Sequence, residues 1–277
     1  MGLKRNGDYV KTNVGLIAIV IGLLAATSSY SQKDDPKRSG SSSTVVLELF
    51  TSEGCSSCPP ADALLAKIES IQPFPDTHII AIEEHVDYWN QQGWIDPFSS
   101  SEWTQRQRTY VLAFRQDGEY TPQVVVNGSA QLIGSRMNEL TKAVSEAARS
   151  AQAIVEVAQV GAGSERDPRF SVTVDKVPAS DGDAPEVWAA VTESGLSSQV
   201  TAGENAGRKL PHASVLRSLR RINGGTTTTA GSFRGEFSPK LKNDWKRENL
   251  AIVVFVQQKK SRRILGAASL RIASSQP

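Results

Sequence analysis

An apolar, β-branched run from Thr44 to Phe50 (TVVLELF) ends in a turn-rich loop, the pattern of a central strand buried on both faces. Ala61, Leu64, Leu65, Ile68 and Ile71 then recur at helical spacing. Pro59 and Pro60 fall in the first turn of that helix, where a missing N–H costs little. His78 to Ile82 (HIIAI) predicts the next buried strand, and the strand–helix–strand order implies a parallel pair with a right-handed crossover. Ser99 and Glu102 read as a capping box ahead of a helix whose face carries Trp103, Gln107, Tyr110, Val111 and Phe114. Thr121-Pro122 precedes a strand over Gln123 to Val126 that turns at Asn127-Gly128, a strong hairpin signal. Met137, Leu140, Val144, Ala147 and Ala148 mark a closing helix.

From about Ala153 the pattern changes to alternation, clearest at Phe170, Val172 and Val174, with further strands expected at Glu186 to Glu193, Leu250 to Gln257 and Arg263 to Leu270. This half reads as a β-sandwich. Between its strands, Leu196 to Ala230 is long and rich in Gly, Ser and Thr, and a loop of that length is functional, disordered or misread. Arg208 to Arg221 has no clear assignment. A chain of 277 residues fits two domains.

Upstream, Lys4, Arg5 and Lys11 precede an apolar run from Val14 to Ala26, followed by Ser29-Tyr30-Ser31, a small-x-small cleavage site. Residues 1–31 therefore read as a signal peptide, and the chain as exported, periplasmic or secreted. The alternative, an N-terminal membrane anchor, needs about 20 apolar residues, more than Val14 to Ala26 supplies. Residues 32–43 (QKDDPKRSGSSS) read as a flexible linker. Removing residues 1–31 leaves 28 basic and 28 acidic side chains (31 minus 3, 29 minus 1), so charge gives no case for nucleic acid or an anionic membrane. A membrane contact is expected only if the signal segment stays uncleaved.

The two cysteines are Cys55 and Cys58. An oxidising compartment favours their pairing, yet so short a loop stabilises by only about 2 kcal/mol in the chain-entropy model. Placed at the start of a helix, Cys55 gains from free N–H groups and the helix dipole, which favour the reactive thiolate. Cys58 is spaced to resolve a mixed disulfide formed at Cys55. The strand–loop–CxxC–helix setting is that of a thioredoxin-type motif; an inert local disulfide and metal binding are the alternatives. The fold class expected is α/β: a thioredoxin-like domain over residues 44–150, then a β-rich, sandwich-like domain over 151–277.

Three ordered segments carry a family resemblance: Glu48 to Asp62 (ELFTSEGCSSCPPAD), His85 to Phe98 (HVDYWNQQGWIDPF) and Tyr120 to Gly128 (YTPQVVVNG). They resemble a bacterial family of secreted, thioredoxin-like proteins catalogued as a domain of unknown function, and Asn205 to Arg217 is similar to that family's C-terminal signature. The resemblance implies a thioredoxin-like fold, export and a redox-type pair at Cys55 and Cys58, and supplies no substrate. Gly54-Cys-Ser-Ser-Cys58 departs from the Trp-Cys-Gly-Pro-Cys of thioredoxin, so no redox potential transfers.

The expected function is thiol–disulfide exchange or redox relay, with Cys55 and Cys58 catalytic and a protein thiol or disulfide of the envelope as partner. A non-catalytic secreted binding protein with a structural disulfide is the alternative. Pro122, if cis, faces the cysteines with Thr121 and receives substrate backbone. Trp89 and Trp94, with Tyr88 and Phe98, either line a peptide groove or pack a loop onto the core. Glu83, Glu84, His85 and Asp87 form an acidic cluster after the second strand; Glu84, His85 and Asp87 are candidate proton relays, with a solvated loop as the plainer reading. His85 with the two cysteines would suit copper or zinc, but further ligands are lacking, so neither metal nor cofactor is expected. Arg208, His212 and Arg217 are read as docking the C-terminal half onto the first domain.

Overall fold

A computed structural model of the chain describes Met1 and residues 43–161, 167–179, 181–223, 226–227 and 231–272. The expected signal segment beyond Met1, and the linker except Ser43, lie outside the described residues. No helix among the described residues is long and apolar enough to cross a membrane.

The fold is mixed α/β, with three α-helices and a large mixed sheet among the described residues. Its first half runs β1 (Ser43–Thr51), α1 (Pro59–Ile71), β2 (Thr77–His85), α2 (Ser101–Phe114), β3 (Gln123–Val126), β4 (Ala130–Ile133) and α3 (Met137–Ala148). The second half is β-rich: β5 (Ile154–Gln159), β6 (Phe170–Asp175), β7 (Pro185–Glu193), β8 (Leu196–Gln199), β9 (Lys209–His212) and β10 (Val215–Arg221) come first. They are followed by β11 (Thr226–Thr227), β12 (Phe233–Phe237), β13 (Leu250–Gln258) and β14 (Ile264–Arg271).

β1 pairs in parallel with β2 along its full length, from Ser43 opposite Thr77 to Thr51 opposite His85. β2 therefore extends past Ile82 and takes Glu83, Glu84 and His85 into the sheet, where a loop following the strand was expected. α2 starts one residue later than its capping signal suggests. The Ser99 hydroxyl donates to the Asp96 carbonyl at 2.7 Å, and extended Ser100 instead accepts from the Glu102 N–H at 3.1 Å. The β3–β4 turn has positive φ at Asn127 (45°) and Gly128 (59°), as its sequence requires. A Cβ at Gly128 would lie 1.9 Å from the Arg262 carbonyl oxygen, so this turn packs directly on the chain between β13 and β14.

The two halves share one eight-stranded sheet, ordered β14-β13-β7-β10-β2-β1-β3-β4. The junction is β10, antiparallel to β7 on one side and bridged in parallel to β2 at Val215–Glu83 on the other. Within Leu196 to Ala230, expected as a long loop, residues 196–221 thus supply β8, β9 and β10. Their polar composition reflects partial exposure: β8 and β9 pair only with each other, and β10 turns exposed towards Arg221.

Strand alternation divides the core. Val45, Leu47 and Leu49 of β1 and Ile79 and Ala81 of β2 pack with α1 and α3. The alternate set, Val46, Ile80 and Ile82, packs with Trp103 of α2 and with Ala190, Val253 and Phe255 from the second half. A four-stranded antiparallel sheet, β11-β12-β6-β5, lays Phe170, Val172 and Val174 over Val187, Ala189 and Val191 of β7 and Ile252, Val254 and Val256 of β13.

Candidate functional site

Cys55 and Cys58 form a disulfide in the turn between β1 and α1, with Cα atoms 5.4 Å apart and both residues buried. Cys58 occupies the N-cap of α1, whereas the sequence suggested Cys55 at the helix start. The free N–H groups expected there are absent. Pro59 and Pro60 have none, the Cys58 N–H donates to the Cys55 carbonyl (3.2 Å), and the Ala61 N–H to the Cys58 carbonyl (2.8 Å). Of these helix-terminus effects, only the dipole is left to favour a thiolate.

A strap from the C-terminal half covers the cysteine turn. The Asn205 side-chain amide, itself buried, donates to the carbonyls of Glu53 (2.8 Å) and Cys55 (2.9 Å). Glu204 accepts from the Ser56 N–H at 3.1 Å. On the other side, the Trp89 Cβ would be 3.1 Å from a Cβ added at Gly54. The Trp89 indole N–H donates to Thr121 Oγ1 at 2.8 Å, beside the cis Thr121–Pro122 bond. Trp94 donates to Glu53 Oε2, also at 2.8 Å. Tyr88, Trp89, Trp94 and Phe98 are half-buried, and both indole N–H groups are engaged within the chain.

Next to the cysteine turn lies a buried network of imidazoles and carboxylates. Glu83 and His85 alternate along β2 onto the side facing α1, Glu53 precedes the cysteines, Asp96 comes from the aromatic loop, and His212 ends β9. His212 contacts Glu83 Oε1 through Nδ1 (2.8 Å) and Glu53 Oε1 through Nε2 (3.0 Å). His85 Nδ1 contacts Asp96 Oδ2 at 2.7 Å, and that oxygen also accepts the Glu53 N–H at 2.8 Å. The two imidazole centroids are 4.7 Å apart, with Phe98 packed against both. Burial disfavours the His212 cation, but hydrogen bonds to Glu53 and Glu83 outweigh it and raise the pKa to about 9. Glu83 would likewise rise on burial, and the hydrogen bond with His212, together with the His85 imidazole 3.5 Å away, brings it down to about 2. Asp62, one helical turn beyond Cys58, has the opposite balance. Burial and then the Glu83 charge raise its pKa to about 7, against the 2.6 Å hydrogen bond donated by Thr51 Oγ1.

A family model described as a protein of unknown function, DUF1223, matches residues 46–257. The chain belongs to the DUF1223 family. No curated protein matches it. Among solved structures, it is similar to protein AGR_C_4864 from Agrobacterium tumefaciens, with 24% identity, a TM-score of 0.61, and coverage of 84% of this chain and 96% of that one. HBP35 of Porphyromonas gingivalis is similar at 17% identity and the same TM-score of 0.61, over 86% of this chain and 78% of that one. At these identities the likeness concerns the fold.

In this DUF1223 chain the candidate relay residues separate. His85 lies in the network just described. Glu84 points to the opposite sheet face, where Arg106 of α2 contacts it at 3.3 Å and donates through Nε to Glu48 Oε1 at 2.6 Å. There, burial raises the Glu84 pKa well above the usual carboxylate range, and Arg106 only partly opposes it. Asp87 accepts from the Thr104 hydroxyl at 2.6 Å at the start of α2. His212 does dock the second half onto the first, and Arg217 stacks over Phe98 with its guanidinium 5.8 Å from the ring centroid. Arg208 donates to Asn205 Oδ1 at 3.1 Å, bracing the strap. A groove of about 810 Å³ lined by Phe98, Trp103, Leu216, Arg217, Phe237 and Trp245 does not include the cysteines.

Sequence reasoning missed Glu53, Asp62, Asp96 and Asn205. Asp62 had a legible signal, a carboxylate one turn past Cys58 on the helix face that carries Leu65. The others meet only through long-range packing.

Proposed function

We propose that this chain is an exported, thioredoxin-like thiol–disulfide oxidoreductase or redox relay, acting through Cys55 and Cys58 on a protein thiol or disulfide of the envelope. The observation that carries the reading is the disulfide at the β1–α1 junction with a buried acid of pKa about 7 one turn along the helix. The strand order β2-β1-β3-β4, with β3 antiparallel to β1, α1 and α3 on one face and α2 on the other, supports a thioredoxin-like unit over residues 44–150. The sheet-on-sheet packing of the second half supports its sandwich-like character.

In the reductive direction, the Cys55 thiolate attacks a substrate disulfide, forming a mixed disulfide and releasing one substrate thiolate, which takes up a proton. Cys58 then loses its proton to Asp62 and attacks Cys55 Sγ. The second substrate thiolate leaves and is protonated, so the substrate gains two electrons and two protons while Cys55–Cys58 is oxidised. The oxidative direction is the reverse. Thr121, Pro122, Trp89 and Trp94 flank the turn and are assigned to substrate backbone and side chains. Because both cysteines are buried, exchange requires the turn to open, and the Glu204–Asn205 strap that holds its backbone is assigned as the segment that moves.

That burial favours a second reading, a structural disulfide in a secreted binding protein. The reduction potential of the pair in purified protein, equilibrated in glutathione buffers and read by alkylation, separates the two. A value within about −120 to −270 mV is expected for an exchange catalyst, with a trapped mixed disulfide in Cys58→Ser and none in Cys55→Ser. A value below about −300 mV assigns the structural role.

A further inference from the structure

We propose that Glu83, His85 and His212 form a binding site for one zinc-class divalent cation beside the disulfide. One donor atom from each of the three residues lies within 4.8 Å of the others, and all three residues are buried. Zinc takes imidazole nitrogen and carboxylate oxygen at about 2.0–2.2 Å, and a tetrahedral centre then separates neighbouring donors by about 3.3–3.5 Å. Glu83 Oε1 is 3.5 Å from His85 Nε2, already at that spacing, and 2.8 Å from His212 Nδ1, which would have to open by about half an ångström.

The surroundings orient each donor. Asp96 holds His85 Nδ1 at 2.7 Å and leaves Nε2 facing Glu83; Nε2 is buried and has no hydrogen-bond partner. Glu53 holds His212 Nε2 at 3.0 Å and leaves Nδ1 facing the same oxygen. Glu53 is itself fixed by Trp94 at 2.8 Å. The Ala213 N–H takes Glu83 Oε2 at 3.0 Å, so Oε1 is the oxygen presented to both imidazoles. Two histidines, each backed by a carboxylate on the far ring nitrogen, and one anchored carboxylate make the donor set and outer shell of a zinc site with three protein ligands and a position for water. This departs from the expectation of no metal, for a topological reason: the second histidine lies far along the chain on β9 and was read as a docking residue. The cysteines are not ligands here, so the site does not depend on the redox reading.

The test uses the full chain without an affinity tag, its cysteines kept oxidised and its metals removed by a chelator, titrated with Co2+ and with Zn2+. One Co2+ per chain is expected, with the visible d–d absorption of a low-coordinate nitrogen and oxygen site, displaced by one Zn2+. His85→Gln and His212→Gln should each lower Zn2+ affinity at least 100-fold. Asp96→Asn, which keeps all three ligands, should lower it by about 10- to 100-fold and serves if the histidine variants do not fold. Absence of stoichiometric Co2+ and Zn2+ binding by folded, oxidised protein would overturn the proposal. So would binding that survives these substitutions unchanged, or that occurs only after the cysteines are reduced.

Discussion

Replacing Asp62 with Asn removes a titration that the fold itself creates. The pKa of the carboxyl rises from 3.8 in the ordinary side chain to about 7, because burial penalises the anion and Glu83 adds to that penalty. Between pH 5 and pH 7 the unfolded chain has lost this proton while the folded chain keeps it. The folded state thus binds more protons, and stability falls as pH rises. At 1.36 kcal/mol per unit, the loss over those two units is about 3 kcal/mol, and it levels off above the folded pKa. An Asn can still accept the Thr51 hydroxyl through its carbonyl oxygen and has nothing to ionise. Urea unfolding of the oxidised protein at pH 5 and pH 8.5, with a chelator present, should show the wild type losing about 3 kcal/mol more than Asp62→Asn. Titrations at Glu83 and His212 enter both proteins and largely cancel in that difference. Parallel pH dependence in the two proteins would refute the assigned environment of Asp62, and with it the role of that residue as proton acceptor for Cys58.

Asn205→Ala strips hydrogen bonds from the buried carbonyls of Glu53 and Cys55. It should cost about 2–4 kcal/mol in urea unfolding and speed reduction of the disulfide by dithiothreitol, since the strap over the cysteine turn loosens; unchanged reduction kinetics would mean that the strap does not gate access. Arg106→Met leaves Glu48 and Glu84 buried beside each other without the guanidinium that now contacts both. A loss of about 3–5 kcal/mol is expected, and a loss below about 1 kcal/mol would show that the guanidinium is not what holds the two buried carboxyl groups in place.

The first half of the chain was legible because its signals are local. The apolar run of β1, the heptad-like face of α1, and the Asn127-Gly128 turn each act over a few residues, and each formed where the pattern put it. The cysteine pair was equally visible, as was the likeness to a family whose function is unknown. Errors arose where a short-range rule met a long-range partner. Glu83 to His85 read as a polar loop, yet β1 pairs with all three and β10 bridges Glu83 from the other side, which makes them residues of a central strand. Charged groups accept that position only because His212, Asp96 and Arg106, from three distant segments, supply counter-charges and hydrogen bonds. Residues 196–221 lacked a clear period because β8 and β9 bury only one side and β10 only part of its length. By itself, then, the sequence determined the order of strands and helices in the first half, the position of the cysteines and the family. The tertiary structure decided that both halves share one sheet, that the cysteine turn is roofed by Asn205, and that two histidines far apart in the chain face a single carboxylate oxygen. Those arrangements depend on packing between segments more than a hundred residues apart, which no local period encodes.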